Sequence, residues 1–272
     1  MNQNERFVTT LLEDGTVEIT QYTGSAETLI VPEMLDGRRV TGIGDSAFAF
    51  GYALTSITLP DSVTCIGDAA FFACVSLTNI MLPGSVTSIG NEAFKHCGSL
   101  TSITLPDGLI SIGERAFCAC ESLLSVTLPD GLTSIGTNAF LGCSSLTSII
   151  LLGTLTRIGK GTFDACSSLT GITLPKGLTS IGDWAFYECK SLTSITFPEG
   201  VTDIGDHAFD RCWSLELVTL PASLTSIGDN AFYRSGWGKP GYIVPRGSWA
   251  AQWCIDNGKE YKYPDSDDWE VE

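Results

Sequence analysis

A 23-residue period runs through most of this 272-residue chain. Phenylalanine returns at Phe48, Phe71, Phe94, Phe117, Phe140, Phe163, Phe186, Phe209 and Phe232, and an Ile-Gly pair recurs nine times, from Ile43-Gly44 to Ile227-Gly228. Proline closes an extended stretch at Pro60, Pro83, Pro106, Pro129, Pro175, Pro198 and Pro221, with Leu152 as the break in that series. Such self-similarity marks stacked units, none of which can bury its apolar face alone. The period therefore outranks every local signal in choosing the fold class.

Each unit has two parts. In "LTSITLP" (residues 54–60) Ile57 and Leu59 share one face at period two, and Pro60 removes a ladder donor and ends the strand. In "VTCIGDAAFFAC" (residues 63–74) an extended start gives way to Gly67, then Asp68 where an N-cap belongs, then Phe71 and Cys74 at i and i+3. That spacing predicts one short helical turn per coil. Nine coils at ~4.8 Å make a rod of roughly 40 Å, and parallel crossover connections favour a right-handed coil. The expected division is an N-terminal β cap over residues 1–44, a solenoid over 45–234, a C-terminal strand-helix cap over 235–263 and an acidic tail over 264–272, which is expected to be loose. Within the C-terminal cap, Ser248 is placed to start a helix that stops near Gly258.

A net charge of −16, with 15 basic residues that form no run, argues against nucleic acid as a partner. No stretch approaches the ~18–20 apolar residues of a membrane span, so no membrane insertion is expected. The opening "MNQNERFVTTLLEDG" lacks the basic and apolar segments of a secretory leader, which leaves the compartment open. Seven of the ten cysteines (Cys74, Cys97, Cys120, Cys143, Cys166, Cys189 and Cys212) share one column, where they read as reduced core filler pointing the same way.

Catalysis needs unlike groups held together, whereas a repeat supplies like groups in rows. His96 and His207 lie several coils apart, and each reads as a solvated surface histidine. "GWGKPG" (residues 236–241) fits a phosphate-loop pattern, but a following strand replaces the helix such a loop requires. Asp183, Asp206 and Asp229 stack in one column, as do Asp45 and Asp68. Carboxyls ~5 Å apart would suit a retaining glycosidase or Ca²⁺, but the column is the N-cap position, where Asp is favoured for its own sake. We therefore expect no catalytic residue, metal or cofactor.

The line "SIGxxAFxxCxSLTSITLPxGLTSIG" resembles the BspA-type leucine-rich repeat over roughly residues 40–234. The flanks "DGTVEITQYTG…VPEMLDGRRVTGIGDSAF" and "VPRGSWAAQWCIDNGKEYKY" resemble that family's end modules, and "LLGTLTRIGKGTF" (residues 151–163) is an irregular unit within it. The resemblance implies a leucine-rich-repeat coil that acts without catalysis in adhesion and protein binding, with a host or partner-cell surface protein as partner. It also implies a cell-surface or secreted location; an intracellular interaction scaffold is the alternative.

Function is best sought where a coil departs from its neighbours. All six tryptophans fall within the last 89 residues. Trp184 fills a column that holds Ala, Glu, Arg, Asn or Gly in earlier coils, and Tyr187 follows it by three. With His207, Asp210, Arg211, Tyr233 and Arg234 they form a candidate partner-binding patch of interface composition. Trp213, Trp237, Trp249 and Trp253 are expected to close the open end of the stack. The competing surface is the strand face: Thr58, Met81, Thr104, Thr127, Ile150, Thr173, Thr196, Leu217 and Thr219.

Overall fold

The computed structural model describes residues 6–151 and 153–270; Leu152 lies outside them. The molecule is a β-solenoid of about eleven turns with parallel strands and little helix. Three-residue strands such as Ser56–Thr58, Asn79–Met81 and Ser102–Thr104 stack in one sheet, and two-residue strands such as Cys65–Ile66, Ser88–Ile89 and Ser111–Ile112 in another. The register is one repeat per step, with Ile57 opposite Ile80 and Ile66 opposite Ile89. Each sheet divides once, the two-residue ladder at the irregular unit, between Ser134–Ile135 and Arg157–Ile158, and the three-residue ladder beyond it, between Gly171–Thr173 and Ser194–Thr196. Backbone bonds from Ser191 to Ser167 and from Thr193 to Thr170 carry the stack across the second gap.

The repeats contain no helical turn among the described residues, contrary to the i, i+3 expectation. In the segment after Gly67, the N–H groups of Ala69, Phe71 and Ala73 donate to the carbonyls of Asn91, Ala93 and Lys95 in the next coil at 2.7–2.8 Å. The intervening Ala70, Phe72 and Cys74 close tight turns onto Gly67, Ala69 and Phe71. Ala69 and Ala73 have φ of 54° and 55°, and a left-handed residue returns at every fourth position of this segment in coil after coil. Each such residue costs on the order of 1 kcal/mol, offset by turning alternate amides along the stack, where they bond the neighbour. The segment is thus a third inter-coil ladder, and its spacing imitates a helix.

The aspartate column is corrected in the same way. Asp68 N–H donates to Asp45 Oδ1 at 2.7 Å, Asn91 N–H to Asp68 Oδ1 at 2.6 Å and Asp229 N–H to Asp206 Oδ1 at 2.8 Å. Each side chain caps the following coil rather than its own. Lys160, which has no acceptor, does not continue this series to Asp183. The glycine before this column is dictated by contact: a Cβ on Gly90 would lie 2.6 Å from the Asp68 amide.

The core is built of columns. Phe48 through Phe232 stack with ring centroids 5.0–5.6 Å apart. Each thiol of the cysteine column donates to a phenylalanine carbonyl in the preceding coil, Cys74 to Phe48 at 3.1 Å and Cys212 to Phe186 at 3.1 Å. Ser235 continues the series by donating to the Phe209 carbonyl. Burial pushes these thiols up, Cys74 to about 11, so they remain protonated at neutral pH.

At the N-terminal end, Phe7–Leu11 pairs antiparallel with Val17–Tyr22, which pairs parallel with Arg38–Ile43. At the other end, Gly241–Ile243 adds to Leu217–Thr219, and Tyr261–Lys262 adds to Gly241–Ile243. The helix Trp249–Asp256 begins at Ser248, whose Oγ accepts the Ala251 N–H at 3.1 Å. Of the four tryptophans expected to seal this end, Trp253 packs on Phe232 and Tyr242. Trp213 and Trp249 are exposed and Trp237 is 89% exposed; Tyr242, Val244, Ala250, Ala251 and Cys254 are the buried cap residues instead. The tail, expected to be loose, meets the cap at Asp265, Trp269 and Glu270. Tyr261 and Glu270 exchange two backbone bonds, and Arg246 meets Asp265 at 3.3 Å.

Candidate protein-binding face

Trp184 and His207 occupy the left-handed column, at φ of 59° and 53°, on successive coils joined by the bond from Trp184 N–H to Asp206 O. That backbone turns both side chains outward, and the rings stack at 4.3 Å with 16° between planes. Tyr187 meets Trp184 edge-on at 5.0 Å. His207 is therefore not the solvated residue expected: it is half-buried, and its Nδ1 lies 2.9 Å from Asp210 Oδ2. Asp210 is only 4% exposed, and its second oxygen is without a partner among the described residues.

Arg211 Nη1 donates to Glu188 Oε1 at 2.8 Å, and its guanidinium sits 5.4 Å from the Tyr187 ring. Lys190 completes the pairing at Glu188 Oε2, 3.2 Å, and lies 5.1 Å from the Trp213 ring. Desolvation raises the Glu188 carboxyl, but hydrogen bonds from Arg211 and Lys190 outweigh it and hold the group below the usual range. Asp164, half-buried one coil earlier, is pushed up to about 6 by desolvation and then by Glu188. Trp184, Tyr187, His207, Asp210 and Arg211 thus form one contact network. Tyr233 and Arg234 adjoin it through the Arg211 N–H to Tyr233 O bond and pair with each other at 5.1 Å.

On the strand face, Thr58, Thr104, Thr127, Thr173 and Thr196 are exposed, as are Met81 at 72% and Ile150 at 45%. Thr219 and Leu217 are half-buried, and Leu217 lies in the neighbouring column, opposite Ser194. Ile30, in register with Thr58 and 67% exposed, extends this face and is absent from the sequence-based set.

A second aromatic cluster also escaped sequence analysis. Phe50 stacks edge-on against Tyr52 and Phe72, and Phe72 against His96, at 5.4–6.0 Å. Lys95 lies 5.5 Å from the Phe72 ring, and a cleft lined by Tyr22, Phe48, Phe50 and Tyr52 opens beside them. The signal was present: Phe72 and Phe50 depart from their columns just as Trp184 and Tyr187 do.

Stacked coils that present side-chain networks on regular outer faces define a leucine-rich-repeat scaffold. The family model described as BspA type leucine rich repeat region matches residues 41–170 and 156–237, and the chain belongs to that family. It is similar to the crystal structure of a leucine-rich repeat protein from T. pallidum, at 30% identity over 78% of this chain and 88% of that one, with a TM-score of 0.66. A leucine-rich repeat protein from Bacteroides ovatus is 27% identical over 89% of this chain and 67% of its own, with a TM-score of 0.67. One from Eubacterium ventriosum, at 18% identity and TM-score 0.57 over 84% of this chain and 92% of that one, shares the fold. A search of the curated proteins returns no match.

Proposed function

We propose that this protein is a non-enzymatic binding scaffold of adhesin-like type, working at a cell surface and engaging a partner protein through the face centred on Trp184. The observation that carries the reading is the Trp184–His207 stack, two large rings held outside the core by the left-handed backbone of their column. Aromatic rings edged by Arg211 and Arg234 are the composition of an interface hot spot, with affinity drawn from a broad shallow contact. Family membership supports protein binding, since leucine-rich-repeat coils are in general non-catalytic interaction scaffolds.

The test is capture of surface proteins from candidate partner cells by the parent chain and by a Trp184→Ala/Tyr187→Ala variant. Loss of a specific captured protein, with melting temperature unchanged, is the expected result. Full retention moves the contact to the strand face, where Ile30, Met81 and Ile150 are the exposed apolar residues.

A further inference from the structure

Strand Tyr261–Lys262 ends the sheet that runs through Ser194–Thr196, Leu217–Thr219 and Gly241–Ile243. The last strand of a parallel stack is a template for any extended chain. Here the chain's own tail takes that edge. Tyr261 N–H donates to Glu270 O at 3.1 Å, and Glu270 N–H returns to Tyr261 O at 2.6 Å. Trp269 lies over Gly241, in the column where the two preceding strands carry Ser194 and Leu217. A Cβ on Gly241 would come within 2.6 Å of the indole, so glycine there leaves the slot that Trp269 fills. Lys262 sits 5.1 Å from the same ring, and Arg246 takes Asp265.

Two cations meet the tail, Lys262 at the Trp269 ring and Arg246 at Asp265, in a chain of net charge −16. The tail supplies Asp265, Asp267, Asp268 and Glu270. The charged part of its hold is weak: the Arg246–Asp265 pair is exposed at both ends, and exposed pairs contribute little.

We propose that this edge is a peptide-docking site for an extended acidic segment of a partner protein bearing an indole, and that residues 264–270 are a resident strap that occupies it until displaced. The ligand adds a strand to the edge, its indole enters the Gly241 slot, and its carboxylates meet Arg246 and Lys262. The tether gives the strap a high effective concentration, so a free segment enters only when the strap is weakened or the segment binds more tightly. This site is separate from the Trp184 face, and its failure leaves that reading untouched.

The probe is a labelled peptide of sequence PDSDDWEVE, titrated by fluorescence anisotropy into the full chain and into full-chain Trp269→Ala. The opened variant is expected to bind at least tenfold more tightly than the parent. Arg246→Glu with Lys262→Glu in the opened background reverses the gain, and the same peptide with its tryptophan changed to alanine does not compete. Circular dichroism melts confirm that each variant is folded. Equal binding by parent and opened variant overturns the proposal, as does a gain indifferent to the charge reversals. Mass doubling of the parent on concentration assigns the slot to a second copy's tail and overturns the partner-protein assignment.

Discussion

The indole of Trp184 lies nearly flat on the imidazole of His207, one coil away, with ring centroids 4.3 Å apart. Neither ring belongs to the core, and both sit on left-handed backbone. Trp184→Gly is therefore expected to change stability by no more than about 1 kcal/mol, because the relieved backbone cost offsets the lost ring contacts; Gly161 stands in the same column. Partner binding falls in the same variant. Urea unfolding alongside a binding assay separates the two effects.

Phe140 is fully buried between Phe117 and Phe163 at 5.2 and 5.6 Å. Phe140→Ala opens a cavity in the middle of the column and is expected to cost about 3–5 kcal/mol by chemical denaturation. A loss below about 1 kcal/mol would contradict burial of the column.

The Ile-Gly column is not uniform in its need for glycine. A Cβ on Gly113 would lie 2.5 Å from the Asn91 amide, while one on Gly159 meets nothing nearer than 3.4 Å. Gly113→Ala should cost about 1–3 kcal/mol through overpacking of one coil against the next. Gly159→Ala should be nearly neutral. Paired melting curves check the contrast.

Asp164 gives the stability a sign with pH. Its folded pKa, about 6, stands above the 3.8 of an ordinary aspartate, so the folded state holds the proton more tightly. The favourable contribution is complete below about pH 4 and is lost as pH rises through 6. Asp164→Asn should match the parent near pH 4 and exceed it above pH 7, by about 1–2 kcal/mol after allowance for the solvent-facing half of the group. Melting temperatures of both chains from pH 4 to 8 are the measurement.

The buried columns were legible because they depend on spacing alone: Phe, Leu and Cys at a 23-residue period can share a core only by stacking. The turn segment was not. Phe71 and Cys74 at i and i+3 fit a helical turn and also fit a chain with a left-handed residue at every fourth position. Local spacing does not distinguish them, and the deciding bonds, such as Ala69 N–H to Asn91 O, exist only once two coils are in contact. His207 was misjudged for the same reason. Its partners are Trp184, 23 residues back, and Asp210, turned toward it by that ladder. Phe50 and Phe72 are visible as departures from their columns, but their contacts with each other and with His96 form only between successive coils.

What the residues alone determined is the stack, because a strict period makes every column of the repeat a line through the molecule and leaves one way to bury it. Tertiary contact decided the backbone path between strands, the coil that each aspartate caps and the docking of Trp269 over Gly241. Each of these is a hydrogen bond or a close approach between segments distant in sequence, and its energy arises only after the coils meet.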